Sequence, residues 1–138
     1  MGLFDVFKTE TAITLTPKVA FTASLLYMIS ADGQIEEEEI GQLLSVIGGD
    51  RNLLDSAIKF ARKTPVDAFL PQAASLLSEQ QKLGVLTNLC DSLLADGEAA
   101  PQEQALFARF LTAFNIGEER FRPYFDVIAL KNNRRIYL

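Results

Sequence analysis

The sequence contains no histidine, no tryptophan and a single cysteine among its 138 residues. The absence of histidine excludes Ser–His and Cys–His nucleophile pairs and every metal site that uses imidazole ligands. With Cys90 alone, an intrachain disulfide is also excluded. Cys90 lies on an apolar stripe without a neighbouring base to activate its thiol, so we expect an inert core residue.

No apolar run is long enough to span a bilayer, because the longest one, residues 19–29, falls short of the about 20 residues required. Residues 1–8, MGLFDVFK, lack the basic start and the long apolar stretch of a signal peptide, so the predicted location is the cytoplasm. The apolar side chains within residues 3–7 fit two roles. They are either a peripheral contact with a membrane surface or a segment that docks on the domain's own core.

The charge balance is acidic, with 13 Lys and Arg against 18 Asp and Glu, a net charge of -5. This balance disfavours nucleic acid as a partner, because protein affinity for nucleic acid comes mainly from basic side chains at phosphates. It is compatible with cations or basic proteins. The length and the 49% hydrophobic content are those of one ordinary globular domain with its own core.

Apolar residues recur at helical spacing along the chain and predict an all-α, single-domain bundle of about seven helices. We expect an N-terminal arm at residues 1–15, the helical domain at 16–130 and a basic tail at 131–138. Only in residues 135–138 do side chains of different polarity alternate with the two-residue period that is typical of a strand. Pro71 is expected to shorten or interrupt the fourth helix. The predicted helix starts are Thr16-Pro17, Asp50, Thr64-Pro65, Ser78 with Gln81, and Pro101.

The sequence contains an internal repeat of two helical hairpins at an offset of 64 residues. LLYMISADGQIEEEEIGQLLSVI aligns with NLCDSLLADGEAAPQEQALFARFL, so that Asp32 aligns with Asp96 and Glu39 with Glu103. Each copy consists of a buried helix, an acidic Ala-Asp-Gly turn (the ADG turn) and an amphipathic helix.

The ADG turn matches the second half of an EF-hand calcium loop. With Asp32 at loop position 5, Gly33 falls at the glycine position and Glu39 at position 12. Positions 1 and 3 would then be Met28 and Ser30, which belong to the preceding helix. A complete EF-hand is therefore excluded, and at most two strong ligands remain in each copy.

The same residues also have a purely structural interpretation. A glycine adopts positive φ at little cost, and a glutamate at the third helical position bonds back to the N-cap amide. Glu39 and Glu103 occupy such positions. The run of residues 36–39 also places negative charge at the positive end of a helix. Both interpretations fit the residues, so metal binding remains one of two hypotheses.

In these features the chain resembles the TerB-like family of small helical domains named for tellurite resistance. The resemblance rests on the apolar helix ending in ADG, the acidic residue seven positions after the aspartate, and the second copy, and it covers roughly residues 17–130. It implies a compact bundle of seven or eight helices in the bacterial cytoplasm. It also implies a role in resistance to tellurite and other stresses, often beside membrane proteins.

The resemblance further implies a divalent-cation site formed by acidic residues. In the second copy, Ala99-Ala100 replaces the apolar and polar pair of the first copy, which argues against a second equivalent site. The positions that match the family's acidic residues, with one neighbour, are Asp32, Glu38, Glu39, Asp96 and Glu103.

Three functions follow as hypotheses. The first is a non-enzymatic, metal-responsive or scaffold domain in a stress system, with calcium or magnesium as the only expected cofactor and a soluble or membrane-associated protein as partner. The second is a metal-free interaction module whose acidic turns recognise a basic partner. The third is an enzyme with catalytic carboxylates, which would need a pocket between the two turns; we expect no catalytic residue. The sequence does not determine the oligomeric state.

Overall fold

The computed structural model describes residues 13–31, 33, 35–95, 97 and 99–138. This part of the chain holds seven α-helices and a C-terminal 3-10 turn, and it contains no strand. The predicted all-α fold is confirmed. Of the predicted N-terminal arm, residues 1–12 lie outside the described residues. The helices are α1 (Pro17–Ile29), α2 (Glu37–Val46), α3 (Arg51–Lys63), α4 (Val66–Leu76), α5 (Glu79–Ala95), α6 (Pro101–Ala113) and α7 (Glu118–Asn132), followed by the 3-10 turn (Arg134–Tyr137).

The helix starts follow from local side-chain chemistry. The Thr16 hydroxyl accepts a hydrogen bond from the backbone amide of Val19 at 3.2 Å, next to Pro17 at the first helical position. Ser78 and Gln81 form a complete capping box, in which each side chain accepts a hydrogen bond from the other's backbone amide. These contacts satisfy amides that have no partner within the helix.

The fourth helix begins one residue later than the predicted Thr64-Pro65 start. Thr64 is the C-cap of α3, and Pro65 is the N-cap of α4 without a side-chain hydrogen bond. Only these two residues separate the helices, so Thr64 completes the first and cannot also cap the second. Asp67, in the first turn of α4, forms an ion pair with Arg109 of α6.

Pro71 does not interrupt α4, which continues over 11 residues. Pro71 and Asp67, the residue four positions earlier, are both exposed. Water can therefore reach the carbonyl group that loses its donor. On the opposite side, Phe69, Leu70 and Ala73 are buried and hold the helix against the core.

The C-terminal part of the chain is helical, and α7 buries only some of its apolar side chains. Residues 135–138 do not form a strand, because residues 134–137 form a 3-10 turn. In α7, Phe121 and Ile128 are buried, whereas Tyr124 and Phe125 are 41% and 37% exposed. Both lie at the edge of the helix face that contacts the core, where a helical apolar pattern does not distinguish a boundary position from a central one.

The core is built around α1 and α5. Helix α1 packs mainly on α3, and α5 packs mainly on α7. Phe69 of α4 lies at the centre of an aromatic cluster, with ring centroids 4.9 Å from Tyr27, 6.0 Å from Phe60 and 6.4 Å from Phe110. Because these rings come from four helices, α4 joins the two halves of the bundle through Phe69.

The repeat extends beyond the predicted hairpins to three helices. In the first copy α1 packs on α3, and in the second copy α5 packs on α7 in the same chain order. Helix α2 begins at residue 37 and α6 at residue 101, an offset of 64, but α3 begins at residue 51 and α7 at residue 118, an offset of 67. Because of this three-residue shift, an alignment of the sequence with itself at the constant offset of 64 does not reveal the third helix.

Candidate functional site: the two ADG turns

The two ADG turns share one backbone conformation at their glycines. Gly33 and Gly97 both have φ of +85°, a left-handed value that other residues rarely adopt. The Gly33 amide donates to the Ser30 carbonyl at 2.9 Å, and the Gly97 amide donates to the Leu94 carbonyl at 3.2 Å. Each glycine therefore reverses the chain at the end of a buried helix in the same way.

In the second copy, Glu103 has the structural role that the helix-start interpretation predicts. It lies at the third position of α6, and its Oε1 accepts a hydrogen bond from the Ala100 amide at 3.0 Å. Ala100 has no side-chain acceptor to return the bond, so this is one half of a capping box. Pro101 occupies the first helical position, as predicted.

The first copy presents more charge at the same place. Glu37, Glu38 and Glu39 form the first turn of α2, and the N-cap residue Glu36 makes no side-chain capping bond. Glu38 is exposed, whereas Glu39 is half-buried and takes part in an interaction within the protein. Three adjacent carboxylates favour the positive end of the helix but repel one another.

The structure places only some of the predicted metal ligands. Asp32 and Asp96 lie outside the described residues, whereas Glu38, Glu39 and Glu103 lie at the helix starts described above. Within the described residues, no group of three or more acidic or cysteine side chains is arranged to hold a metal ion. A cation at either turn would therefore require the aspartate of that turn in addition to the glutamates.

Asp91 forms a polar cluster with the end of α7 that the sequence did not reveal. Its carboxylate accepts hydrogen bonds from the Lys131 ammonium at 2.8 and 2.9 Å and from the Asn132 amide at 2.9 Å. Burial by itself would raise the pKa of Asp91, but the bonds from Lys131 and Asn132 outweigh burial, and the pKa is lowered. The sequence signals for this cluster were the position of Asp91, one turn before Ala95, and the basic residues of the tail that begins at Lys131.

The first copy has a contact at the equivalent position. Tyr27 aligns with Asp91 at the offset of 64, and Thr64 aligns with Lys131 at the offset of 67. The Tyr27 hydroxyl donates to the Thr64 carbonyl at 2.5 Å. In each copy, the buried helix that precedes the ADG turn is thus joined to the end of the third helix. The contact is a hydrogen bond from a tyrosine hydroxyl in the first copy and an ion pair in the second.

Two cavities lie in the second copy. One, of about 640 Å³, is an apolar groove between α5, α6 and α7 that includes Leu93, Phe107 and Phe121. The other, of about 510 Å³, lies between the second ADG turn and the basic tail, and Gly97 and Arg135 line it. Among the described residues of the first turn, none lines either cavity.

Cys90 is an inert core residue. It is 3% exposed and also lines the edge of the apolar groove. Burial, and secondarily the negative charge of Asp91, raise the pKa of the Cys90 thiol to about 11. The thiol therefore remains protonated at neutral pH, which disfavours nucleophilic reactions and metal binding.

Comparison with known families finds one match that covers most of the chain. The family model described as "Tellurite resistance protein TerB" matches residues 18–124. The chain belongs to the TerB family. The TerB match begins in α1 and ends within α7, so it includes both turns and all seven helices in whole or in part. No curated protein and no solved structure gives a significant match.

Membership of the TerB family supports a tellurite-resistance-like domain. It carries no indication for or against catalysis. Among the described residues, no helix combines the length and the apolar character needed to cross a membrane.

Proposed function

We propose that this TerB-family chain is a non-enzymatic scaffold domain of a stress system that responds to a divalent cation. Asp32 and Glu39 of the first turn would bind the cation through oxygen, with Glu38 as a neighbouring charge. Calcium and magnesium are the ions that prefer such ligands. The bound ion would tie the end of α1 to the start of α2 and change the surface offered to a partner protein.

The observation that carries this proposal is the left-handed Gly33 followed by Glu39 at the third position of α2. An EF-hand loop also has a glycine at its sharp turn and a glutamate six residues later as its bidentate ligand. Because the first half of that loop is missing, the ligand count is low. We therefore expect weak binding, on the order of 10⁻⁴ to 10⁻³ M, as in the weakest calcium modules.

The second turn contributes less to this proposal. Asp96 and Glu103 correspond to Asp32 and Glu39, but Glu103 already bonds to the Ala100 amide. That bond uses one of the two carboxylate oxygens and stabilises α6 without a metal. The first turn carries more negative charge, because three adjacent glutamates begin α2 whereas Glu103 alone is acidic in the first turn of α6. We therefore assign the cation to the first turn.

A metal-free interaction module is the alternative function. It is favoured by the second cavity, where basic residues of the chain itself lie beside an acidic turn. In this alternative, the turns recognise Lys and Arg side chains of a partner protein, and metal ions have no effect on stability. Neither of these two functions requires a catalytic residue, so we propose that the chain is not an enzyme.

A melting curve after EDTA treatment, with calcium, magnesium, manganese or zinc added back, tests the proposal. An ion at ten times its dissociation constant adds about 1.4 kcal/mol to the free energy of unfolding. We expect calcium or magnesium to raise the Tm of the wild type and to lose this effect in Asp32→Asn. The matched control is Asp55→Asn, which removes an exposed carboxylate from α3. If no ion raises the Tm, the metal-free module replaces the proposal.

A further inference from the structure

Helix α7 exposes more large apolar side chains than any other helix in the described part of the chain. Four of them lie on α7, whereas α2 and α4 expose one each. Three of the four, Tyr124, Val127 and Leu130, recur at intervals of three residues and are 41%, 67% and 60% exposed. At that spacing they lie side by side along the helix surface, and we call them the α7 ridge. A contiguous apolar patch among polar side chains marks a contact with another molecule.

The charges around the α7 ridge are paired within the chain except at its two ends. Glu118 and Glu119 lie in the first turn of α7, and Arg134 and Arg135 follow its end. All four side chains are exposed and, among the described residues, make no hydrogen bond or ion pair. The basic side chains between them already have partners, in the ion pairs Arg120–Glu79, Arg122–Asp126 and Lys131–Asp91. Two negative charges therefore remain at one end of the ridge and two positive charges at the other.

This surface is complementary to itself under a two-fold rotation. Two α7 helices packed antiparallel about Val127 bring Val127 of one copy next to Val127 of the other. Tyr124 and Leu130 each lie three residues from Val127, so the tyrosine of one copy lies level with the leucine of the other. Glu119 and Arg135 each lie eight residues from Val127, so the acidic start of one helix approaches the basic residues after the end of the other. A two-fold dimer requires a self-complementary surface of this kind.

We propose that the α7 ridge is the interface of a homodimer, in which the α7 helices of two copies pack antiparallel with Val127 at the two-fold axis. The ridge supplies the apolar contact. The four end charges set the direction, because a parallel arrangement places like charges together. The interface consists of one helix per copy, so the dimer is weak and depends on protein concentration. It uses neither ADG turn and is therefore independent of the proposed cation.

A lipid surface fits the α7 ridge less well than a second copy does. Anionic headgroups attract Arg134 and Arg135 but repel Glu118 and Glu119, so only one end of the ridge gains from the contact. A second copy satisfies the charges at both ends.

Sedimentation equilibrium of the full chain, from about 10 μM to 1 mM, tests for the dimer at the concentrations where weak complexes form. The average mass of the wild type should rise with concentration from that of one chain toward that of two. Val127→Lys should keep the mass of one chain. The matched control, Val46→Lys at the end of α2, should behave as the wild type, since Val46 is also exposed, at 53%. A wild type that remains monomeric overturns the proposal, and binding of that monomer to phosphatidylglycerol vesicles would assign the ridge to a lipid surface.

Charge reversal tests the antiparallel direction. Glu119→Arg and Arg135→Glu should each raise the dissociation constant of the dimer roughly tenfold, because each contact occurs twice in a two-fold dimer. The double variant Glu119→Arg/Arg135→Glu restores opposite charges and should return the dissociation constant to within about threefold of the wild-type value. A double variant as weak as either single variant would overturn the antiparallel arrangement.

A cysteine at the two-fold axis tests the position of the interface. Val127→Cys places the new thiols of the two copies beside each other, so mild oxidation should link them by a disulfide. Val46→Cys is the control, and the buried Cys90 is present in both variants. Linked dimer should form several-fold faster in Val127→Cys than in Val46→Cys. Equal rates would show that α7 is not the interface.

Discussion

At the residue scale, the backbone angle of Gly33 distinguishes it from the other glycine nearby, Gly41. Gly33 has φ of +85°, whereas Gly41 lies within α2, and an added Cβ would meet no atom within 4 Å at either position. Any difference between alanine substitutions at the two sites therefore reports backbone conformation alone.

We expect Gly33→Ala to lower the free energy of unfolding by about 1 to 2 kcal/mol, because alanine is strained in the left-handed region. Gly41→Ala should raise it by about 0.5 to 1 kcal/mol, because alanine is the better helix former. Urea denaturation of the two variants measures both effects. Equal responses would contradict the turn conformation.

The hydroxyl group of Tyr27 donates a hydrogen bond to the Thr64 carbonyl. Tyr27→Phe should lower the free energy of unfolding by about 1 to 2 kcal/mol, because the partly buried carbonyl loses its donor. Tyr124→Phe is the matched control, since this ring is 41% exposed. Its effect should stay within about 0.5 kcal/mol in the same urea experiment.

Tyr27 should also make the protein sensitive to high pH. Burial raises the pKa of Tyr27 from its usual 10.0 to about 12, because the charged phenolate is disfavoured in the fold. Its contribution to stability is complete below pH 10 and is lost as the pH rises from 10 to 12. Tyr27→Phe should lose less stability than the wild type across this interval, as chemical denaturation at several pH values would show.

At the scale of a single helix, α6 depends on the bond between Glu103 and the Ala100 amide. Glu103→Ala removes the acceptor and should cost about 1 kcal/mol, whereas Glu103→Gln keeps an acceptor oxygen and should cost less than about 0.5 kcal/mol. Thermal unfolding in EDTA measures both. If the glutamine variant is as unstable as the alanine variant, negative charge and not the hydrogen bond is what stabilises the start of α6.

The sequence predicted these helices well where the signal is local. Thr16, Asp50 and Ser78 each accept from an amide three residues later, so residue type and spacing were sufficient. Thr64 misled the prediction because it has the same local signature as Thr16. Thr64 is instead the C-cap of α3 in an extended conformation, because the residue before a proline is disfavoured in the α-helical region.

At the scale of the whole molecule, Asp91 joins α5 to α7 through Lys131 and Asn132. A carboxyl group with a lowered pKa contributes stability above its unfolded pKa, and this contribution is lost as the pH falls through its folded pKa. The wild type should therefore lose more stability than Asp91→Asn between pH 7 and about pH 3, below the usual aspartate pKa.

Denaturant unfolding at both pH values measures this difference. The control is Asp126→Asn, because Asp126 pairs with Arg122 within one helix and does not join two helices. If Asp91→Asn and Asp126→Asn reduce the acid sensitivity equally, the contact between α5 and α7 is not what the pH change disrupts.

The sequence by itself determined the helices, the duplicated ADG turn and the family resemblance, because all three rest on residues that lie within a few turns of one another. It also named Glu103 as an N-terminal helix residue, and the bond to Ala100 confirms that position. The cation hypothesis at Asp32 and Glu39 comes from the same local pattern and remains a proposal.

Only the tertiary structure decided which distant residues meet. Asp91 and Lys131 are 40 positions apart, and Tyr27 and Thr64 are 37 apart. No local pattern links such pairs, because their separation depends on how α5 packs on α7 and α1 on α3. The same packing places Arg134 and Arg135 beside Gly97, so the position of the tail is a property of the assembled bundle.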